Sequence, residues 1–230
     1  MGGKNVKNTM IERLLQIVAP HPCFGCGKVG STICLDCKYD IVHDPYVGCF
    51  YCQTPTLVGI CSKHSGLVER AAIVSMRATT LKAAIDGLKF HNAKATAKDL
   101  AEILDLSLPE LPEDTILVPV PTLPSHRRQR GFDQVELIAR HFSQIRSLTV
   151  SYCLERTTTT TQHTSSRKER LAQASVSYKI KDTVSLPTSA IYLLLDDIVT
   201  TGATLDGAAK VLSVGGKTVW AAALAYQPLD

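Results

Sequence analysis

The stretch LLLDDIVTTGATL, Leu193–Leu205, decides the architecture. Its apolar part begins at Ile191 and has no polar face before Asp196, the pattern of a strand buried inside a sheet. Thr200-Thr201-Gly202-Ala203-Thr204 then leads into a helix predicted over Leu205–Val214. A helix start presents N–H groups without intrahelical partners at the positive end of the macrodipole. Threonine hydroxyls add donors there, and Gly202 lets the backbone approach a ligand closely. Together these make a phosphate cradle. Asp196 and Asp197 stand at the carboxyl end of the strand, where open parallel sheets bind ligands. Two adjacent carboxylates repel each other, and they suit sugar hydroxyls held directly or through a divalent cation. Taken generically, the same residues also describe an ordinary N-capped helix after a strand.

The surrounding chain repeats the alternation. Leu81, Ala84, Ile85 and Leu88, then Ala97, Leu100, Ala101 and Leu104, recur at helical spacing, with a break predicted at His91-Asn92. Thr115–Val120 is a short apolar strand ended by prolines, and Asp133–Ile145 is a helix with Val135, Ile138, Ala139 and Phe142 on one face. Leu148–Leu154 and Thr218–Tyr226 are further strand candidates. Strands alternating with helices predict an α/β fold with a mainly parallel, doubly wound sheet. Gly216-Lys217-Thr218 imitates the end of a nucleotide-binding P-loop, but Val211 stands where that motif needs glycine and a strand follows instead of a helix.

Residues 1 to about 20 read as a short amphipathic helix, and residues 21–66 are rich in Cys, Gly and His with few apolar runs. Burial alone does not hold such a segment. Its spacing is Cys23-x2-Cys26-x7-Cys34-x2-Cys37, then Cys49-x2-Cys52-x8-Cys61-x2-His64. Paired knuckles of this kind read as structural zinc ligands, one set of four cysteines and one of three cysteines with a histidine. Spacing leaves open one ion or two, whether successive or alternate knuckles share an ion, and whether His64 is a ligand. With no export signal and no apolar run of membrane length, the expected location is the cytoplasm, without membrane insertion. A net charge of +4 fits an anionic small molecule or a weak nucleic-acid surface and forces neither.

Basic side chains complete the candidate site. Arg127, Arg128 and Arg130 lie in a segment after the Thr115–Val120 strand, read as a loop able to neutralise pyrophosphate or as a solvated turn. Arg156, Gln162 and Arg170 belong to a long polar, Thr-rich stretch, either a lid or a connector. Lys89, near a helix end, is either a site residue or a surface lysine.

With these strings in place, the chain resembles the type I phosphoribosyltransferases, whose loop for phosphoribosyl pyrophosphate (PRPP) has the LLLDDxxTTGxT form, and within them the ComF family of competence proteins. The more specific matches are VPVPTLPSHRRQRGFDQVELIA, Val118–Ala139, with Asp133 where the family usually has Asn, and the cysteine knuckles ahead of Gly87-Leu88-Lys89-Phe90. The resemblance implies a type I phosphoribosyltransferase fold over residues 67–230, with a helix and small zinc-finger region over 1–66. It implies PRPP bound with Mg2+ by Asp196, Asp197, Thr200, Thr201, Gly202, Ala203 and Thr204, the two carboxylates also serving catalysis. It associates the family with natural transformation, hence with internalised single-stranded DNA and competence proteins such as a ComF-type helicase. A PRPP- or nucleotide-sensing nucleic-acid-binding module and a nucleobase phosphoribosyltransferase of salvage are the alternatives. Gln173 stands where the family's lid has Asn.

Overall fold

The computed structural model of the chain describes residues 21–157, 178–182 and 184–228. The lead-in helix and the lid residues Gln162 and Arg170 fall outside them. In chain order the elements are α1 (Leu35–Val42), β1 (Arg70–Met76), α2 (Thr79–Phe90), α3 (Thr96–Ser107), β2 (Thr115–Pro119), α4 (Pro124–Arg130), α5 (Gln134–Arg146), β3 (Thr149–Val150), β4 (Leu154–Arg156), β5 (Tyr178–Ile180), β6 (Ile191–Val199), α6 (Ala203–Leu212) and β7 (Thr218–Tyr226).

Five strands form one sheet in the order β1-β7-β6-β2-β3, every pair parallel. This is the α/β architecture read from the sequence. Alternation along β6 distributes its side chains to two cores. Leu193 and Leu195 pack with α2, α3 and α5, through residues such as Leu88, Leu100, Ile138 and Phe142. Tyr192 and Leu194 pack with Leu205, Ala208 and Leu212 of α6 and with Leu154 and Tyr178 of the antiparallel β4–β5 pair. A strand apolar on both faces is explained by these two layers.

Three local readings change. Arg70–Met76 is an edge strand that the sequence reading passed over; its alternation is blurred because Ala71, Ile73, Val74 and Ser75 are all buried. Leu148–Leu154 is not one strand. Only Thr149 and Val150 pair with β2, after which the chain leaves the sheet and Leu154 joins the separate β4–β5 pair. The basic segment is a helix rather than a loop: Pro124 opens it with a φ already suited to a helix, and Gly131, at φ 77°, closes it.

Residues 21–66 have no core of their own and share that of the sheet domain. Ile33 and Ile41 join the α2–α3 side, Phe50 and Ile60 the α6 side. The segment also takes up polar groups on the free edge of β1: Tyr46 N–H donates to Val74 O at 3.1 Å and Ala71 N–H to Val58 O at 2.9 Å. Covering an edge strand in this way removes a site for unwanted pairing. A buried ionic cluster adds a second tie. Lys38 Nζ of α1 donates to Asp99 Oδ1 of α3 at 2.7 Å and also to Glu102, while the Ile33 N–H donates to Asp99 Oδ2 at 3.0 Å. Burial opposes the Lys38 charge, but its bonds to Asp99 and Glu102 outweigh it and raise the pKa.

Candidate functional site

The carboxyl ends of the strands open onto a cleft of about 340 Å3 lined by Asp196, Asp197, Thr200 and Thr204 together with basic side chains. Pleat alternation sends the two carboxylates to opposite sides of β6. Asp197 continues the Leu193–Leu195 face and is buried. Its Oδ1 accepts from Lys89 Nζ at 2.8 Å and its Oδ2 from Gln134 Nε2 at 2.7 Å, so the last turn of α2 and the first of α5 orient it. Asp196 accepts the Asp197 N–H at 2.8 Å. Burial, and next the charge of Asp197, push the Asp196 carboxyl up to about 8. A cation or a pair of hydroxyl donors placed against it would reverse that penalty.

The loop after β6 turns at Gly202, whose φ of 79° is left-handed and suits glycine. Ala203 then starts α6, with its N–H donating to Thr201 Oγ1 at 3.4 Å. Thr200, Gly202, Ala203 and Thr204 surround a recess of about 20 Å3 at this helix start. The first-turn carboxylate Asp206 would oppose an anion there. It is drawn toward Tyr51, whose hydroxyl donates to it.

Arg77, Lys89, His126 and Arg156 line the cleft. Arg77 Nη1 donates to Gln227 at 2.7 Å and Nη2 pairs with Asp86. The buried Nε atoms of Arg77 and Arg156 have no hydrogen-bond partner among the described residues. Partial burial, then the charges of Arg130, Arg156 and Lys89, lower the His126 pKa. Cationic walls above an acidic floor match a phosphorylated sugar: phosphates meet the guanidinium and ammonium groups, hydroxyls the carboxylates.

Of the predicted basic residues, Lys89 and Arg156 thus meet the carboxylates and the threonine loop in one cleft. Arg130 stands beside it, donating to Gln134 Oε1 at 2.6 Å. Arg127 pairs with Glu136 at 3.2 Å and Arg128 is exposed; neither lines the cleft. The helical form of the segment explains the split, since successive residues on a helix point in different directions. Sequence reasoning missed Arg77 because it missed β1; the rule that ligands gather at strand carboxyl ends would have pointed to it. It also gave no role to Gln134 or Asp133. Asp133 caps α5 by accepting from the Val135 and Glu136 N–H groups, and its other oxygen accepts from Thr122 N and Oγ1, both at 2.9 Å, which ties the β2 exit to α5.

The cysteine knuckles gather in succession. Cys23, Cys26, Cys34 and Cys37 form one group, and Cys49, Cys52, Cys61 and His64 the other, each with its ligand atoms within 4.8 Å of one another. Cys26 and Cys34 sulfurs are 3.6 Å apart and Cys52 and Cys61 sulfurs 3.7 Å. Tetrahedral zinc with Zn–S bonds of ~2.3 Å needs sulfurs roughly 3.8 Å apart. Burial pushes the Cys23 thiol up, but N–H groups of Cys26, Cys34 and Gly25 outweigh it and bring it down to about 6. Hydrogen bonds with Thr54 lead the same shift to about 6 at Cys52. Burial, then hydrogen bonds with Cys34, Cys23 and Cys26, push the Cys37 thiol up, and burial raises Cys61. Each group thus holds one readily ionised thiol, and it is the four-ligand geometry of both that fits zinc.

The second group sits against the loop after β6. A Cβ added at Gly202 would lie 2.6 Å from Phe50 Cε2 and 2.9 Å from Tyr51 Cε1. Tyr51 also stacks on His64, ring centroids 5.1 Å apart. One side of the Thr200–Thr204 turn is thereby backed by the residues between Cys49 and Cys52.

No family model matches the chain. It is similar to Competence protein F of Haemophilus influenzae, 26% identical over 198 residues that cover 79% of this chain and 84% of that protein. The resemblance to the ComF family read from the strings above therefore holds along most of the chain, with the cysteine groups in the arrangement of an N-terminal zinc finger. No described helix is long and apolar enough to cross a membrane.

Proposed function

We propose that the protein binds PRPP with Mg2+ in the carboxylate cleft and acts, as a phosphoribosyltransferase-like protein, in handling single-stranded DNA during DNA uptake. The competence role follows from the similarity to Competence protein F. The observation that carries the ligand is the placement of Asp196, Asp197 and the Thr200–Thr204 helix start in one cleft with Lys89, Arg77 and Arg156.

In this reading the N–H groups from Thr200 to Thr204 hold the 5′-phosphate, the carboxylates hold the ribose 2′- and 3′-hydroxyls, and the basic walls hold pyrophosphate. Hard carboxylate oxygens next to bound phosphates are the ligands Mg2+ takes, and when bound it would neutralise pyrophosphate as a leaving group. Lys89 and Gln134 keep Asp197 fixed as positive charge grows at the ribose, so the field acting on the transition state is set in advance. The two zinc groups have a structural role, since closed four-ligand sets leave no open coordination position.

Calorimetric titration with PRPP and Mg2+ tests the binding. Asp196→Asn combined with Asp197→Asn is expected to abolish it, and unchanged affinity would remove the site assignment. Pyrophosphate release on adding bases or single-stranded DNA tests catalysis separately. PRPP binding without release would leave a sensing module.

A further inference from the structure

A second cavity of about 340 Å3 opens beside the carboxylate cleft, lined by Lys89, Phe90, Asn92, Gln129, Arg130 and Phe132. Lys89 and Phe90 line both cavities, so Phe90 forms part of the wall between them. This volume is within the ~300–1,000 Å3 range of ligand pockets. Its chemistry differs from that of the cleft. No carboxylate lines it, and two phenylalanines do.

Phe90 ends α2 and is 67% exposed, while other apolar residues of that helix, such as Leu81, Ile85 and Leu88, are buried. The chain turns away directly after it, with Asn92 at φ 54°. A cation stands over each ring: the Arg130 guanidinium lies 5.6 Å from the Phe90 centroid, and Lys94 Nζ lies 5.0 Å from that of Phe132. Aromatic faces beside cations are the elements of sequence-tolerant binding to single strands, with bases stacking on rings and phosphates meeting the cations. The amides of Asn92 and Gln129 supply both donors and acceptors, which suits the edge of an unpaired base.

We infer that the Phe90–Phe132 pocket is a stacking site for an unpaired base of a single-stranded nucleic acid, next to the PRPP cleft. The identity of the occupant rests on the function proposed above, whereas the site rests on the two rings and their cations. The strand would run past Lys94 and Arg130, with Lys89 at the boundary between strand and sugar phosphate.

The test uses the zinc-loaded full chain and an oligothymidylate carrying one 2-aminopurine, whose emission falls on stacking. The native protein is expected to bind the oligonucleotide with quenching, and Phe90→Ala and Phe132→Ala each to weaken it at least about fivefold. The slope of affinity against salt should stay unchanged in these variants, because stacking releases no counterions. A melting curve guards against misfolding of Phe132→Ala, and the exposed Phe90 makes the other variant safe in that respect. Asp197→Asn is expected to lose PRPP and keep the oligonucleotide, so failure of the cleft and failure of the pocket read differently. Native-like affinity in both phenylalanine variants would overturn the inference. So would free 2-aminopurine riboside binding as tightly as the strand, since the pocket would then serve a free nucleoside.

Discussion

Gly202→Ala tests whether the second cysteine group backs the loop after β6. Two costs add. A left-handed alanine costs about 1–2 kcal/mol relative to glycine. The new Cβ, at 2.6 Å from Phe50 Cε2, adds overpacking against a ring that is fully buried and has nowhere to swing, a further ~1–3 kcal/mol. Gly131→Ala is the matched control: its φ is 77°, but nothing lies within 4 Å of its Cβ, so only the backbone cost applies. The expected order is a loss of about 2–5 kcal/mol for Gly202→Ala against about 1–2 for Gly131→Ala. For a chain of this size each kcal/mol moves the melting temperature by roughly 2–4 °C. Urea denaturation of the zinc-loaded protein, followed by circular dichroism, measures the difference, and calorimetry with PRPP adds a second readout, expected to weaken for Gly202→Ala. Equal destabilisation of the two variants would refute the contact between Phe50 and the loop.

The other predictions concern charge and metal. Asp196, held up at about 8 in the folded chain against 3.8 without perturbation, keeps a proton that the unfolded chain has lost. Stability of the zinc-loaded protein without Mg2+ or PRPP should therefore fall as pH rises from about 4 to about 8 and level off above, while Asp196→Asn flattens that segment; a profile identical in both proteins would contradict the burial of this carboxyl. Lys89→Met leaves the buried Asp197 without its cation and should cost about 3–5 kcal/mol in urea denaturation, an unmoved midpoint counting against the ion pair. Lys38→Met should cost a similar ~3–5 kcal/mol by uncovering Asp99, measured the same way. Metal analysis should find two zinc ions per chain, one for each four-ligand group. Chelation should weaken PRPP binding along with stability, because Phe50 and Tyr51 lose their anchor beside Gly202; full PRPP affinity after zinc removal would separate the two sites.

Legibility in the sequence followed the range of the interactions. The strand β6, its turn and α6 were readable because all their determinants lie within Leu193–Leu212: an apolar run, two carboxylates, a glycine that tolerates φ 79°, and a helix start. The ligand sets were readable as residues, through knuckle spacing, but their partition was not. Successive and alternate pairing have the same spacing, and only the folded chain brings Cys23–Cys37 into one group and Cys49–His64 into another. The strand β1 was obscured because both its faces are packed, Val74 in one core and Ala71 and Ile73 in the other, so no exposed face alternates along it, and Arg77 was lost with it. The basic segment carried its helix signals in Pro124 and Gly131, yet its charges suggested a loop, and so Arg127 and Arg128 were grouped with arginines that they do not join.

By itself, then, the sequence determined the strand, turn and helix start of the candidate cradle, the cysteine knuckles and the parallel α/β class, because each is written in neighbouring residues or in a short period. Only the tertiary structure decided what surrounds them. Asp197 meets Lys89 across 108 positions and Gln134 across 63, and Tyr51 meets Asp206 across 155. Contacts at such separations follow from strand order and from which face of the sheet each helix covers, and no local pattern encodes that. The same packing set Phe90 and Phe132 beside one cavity and backed Gly202 with Phe50.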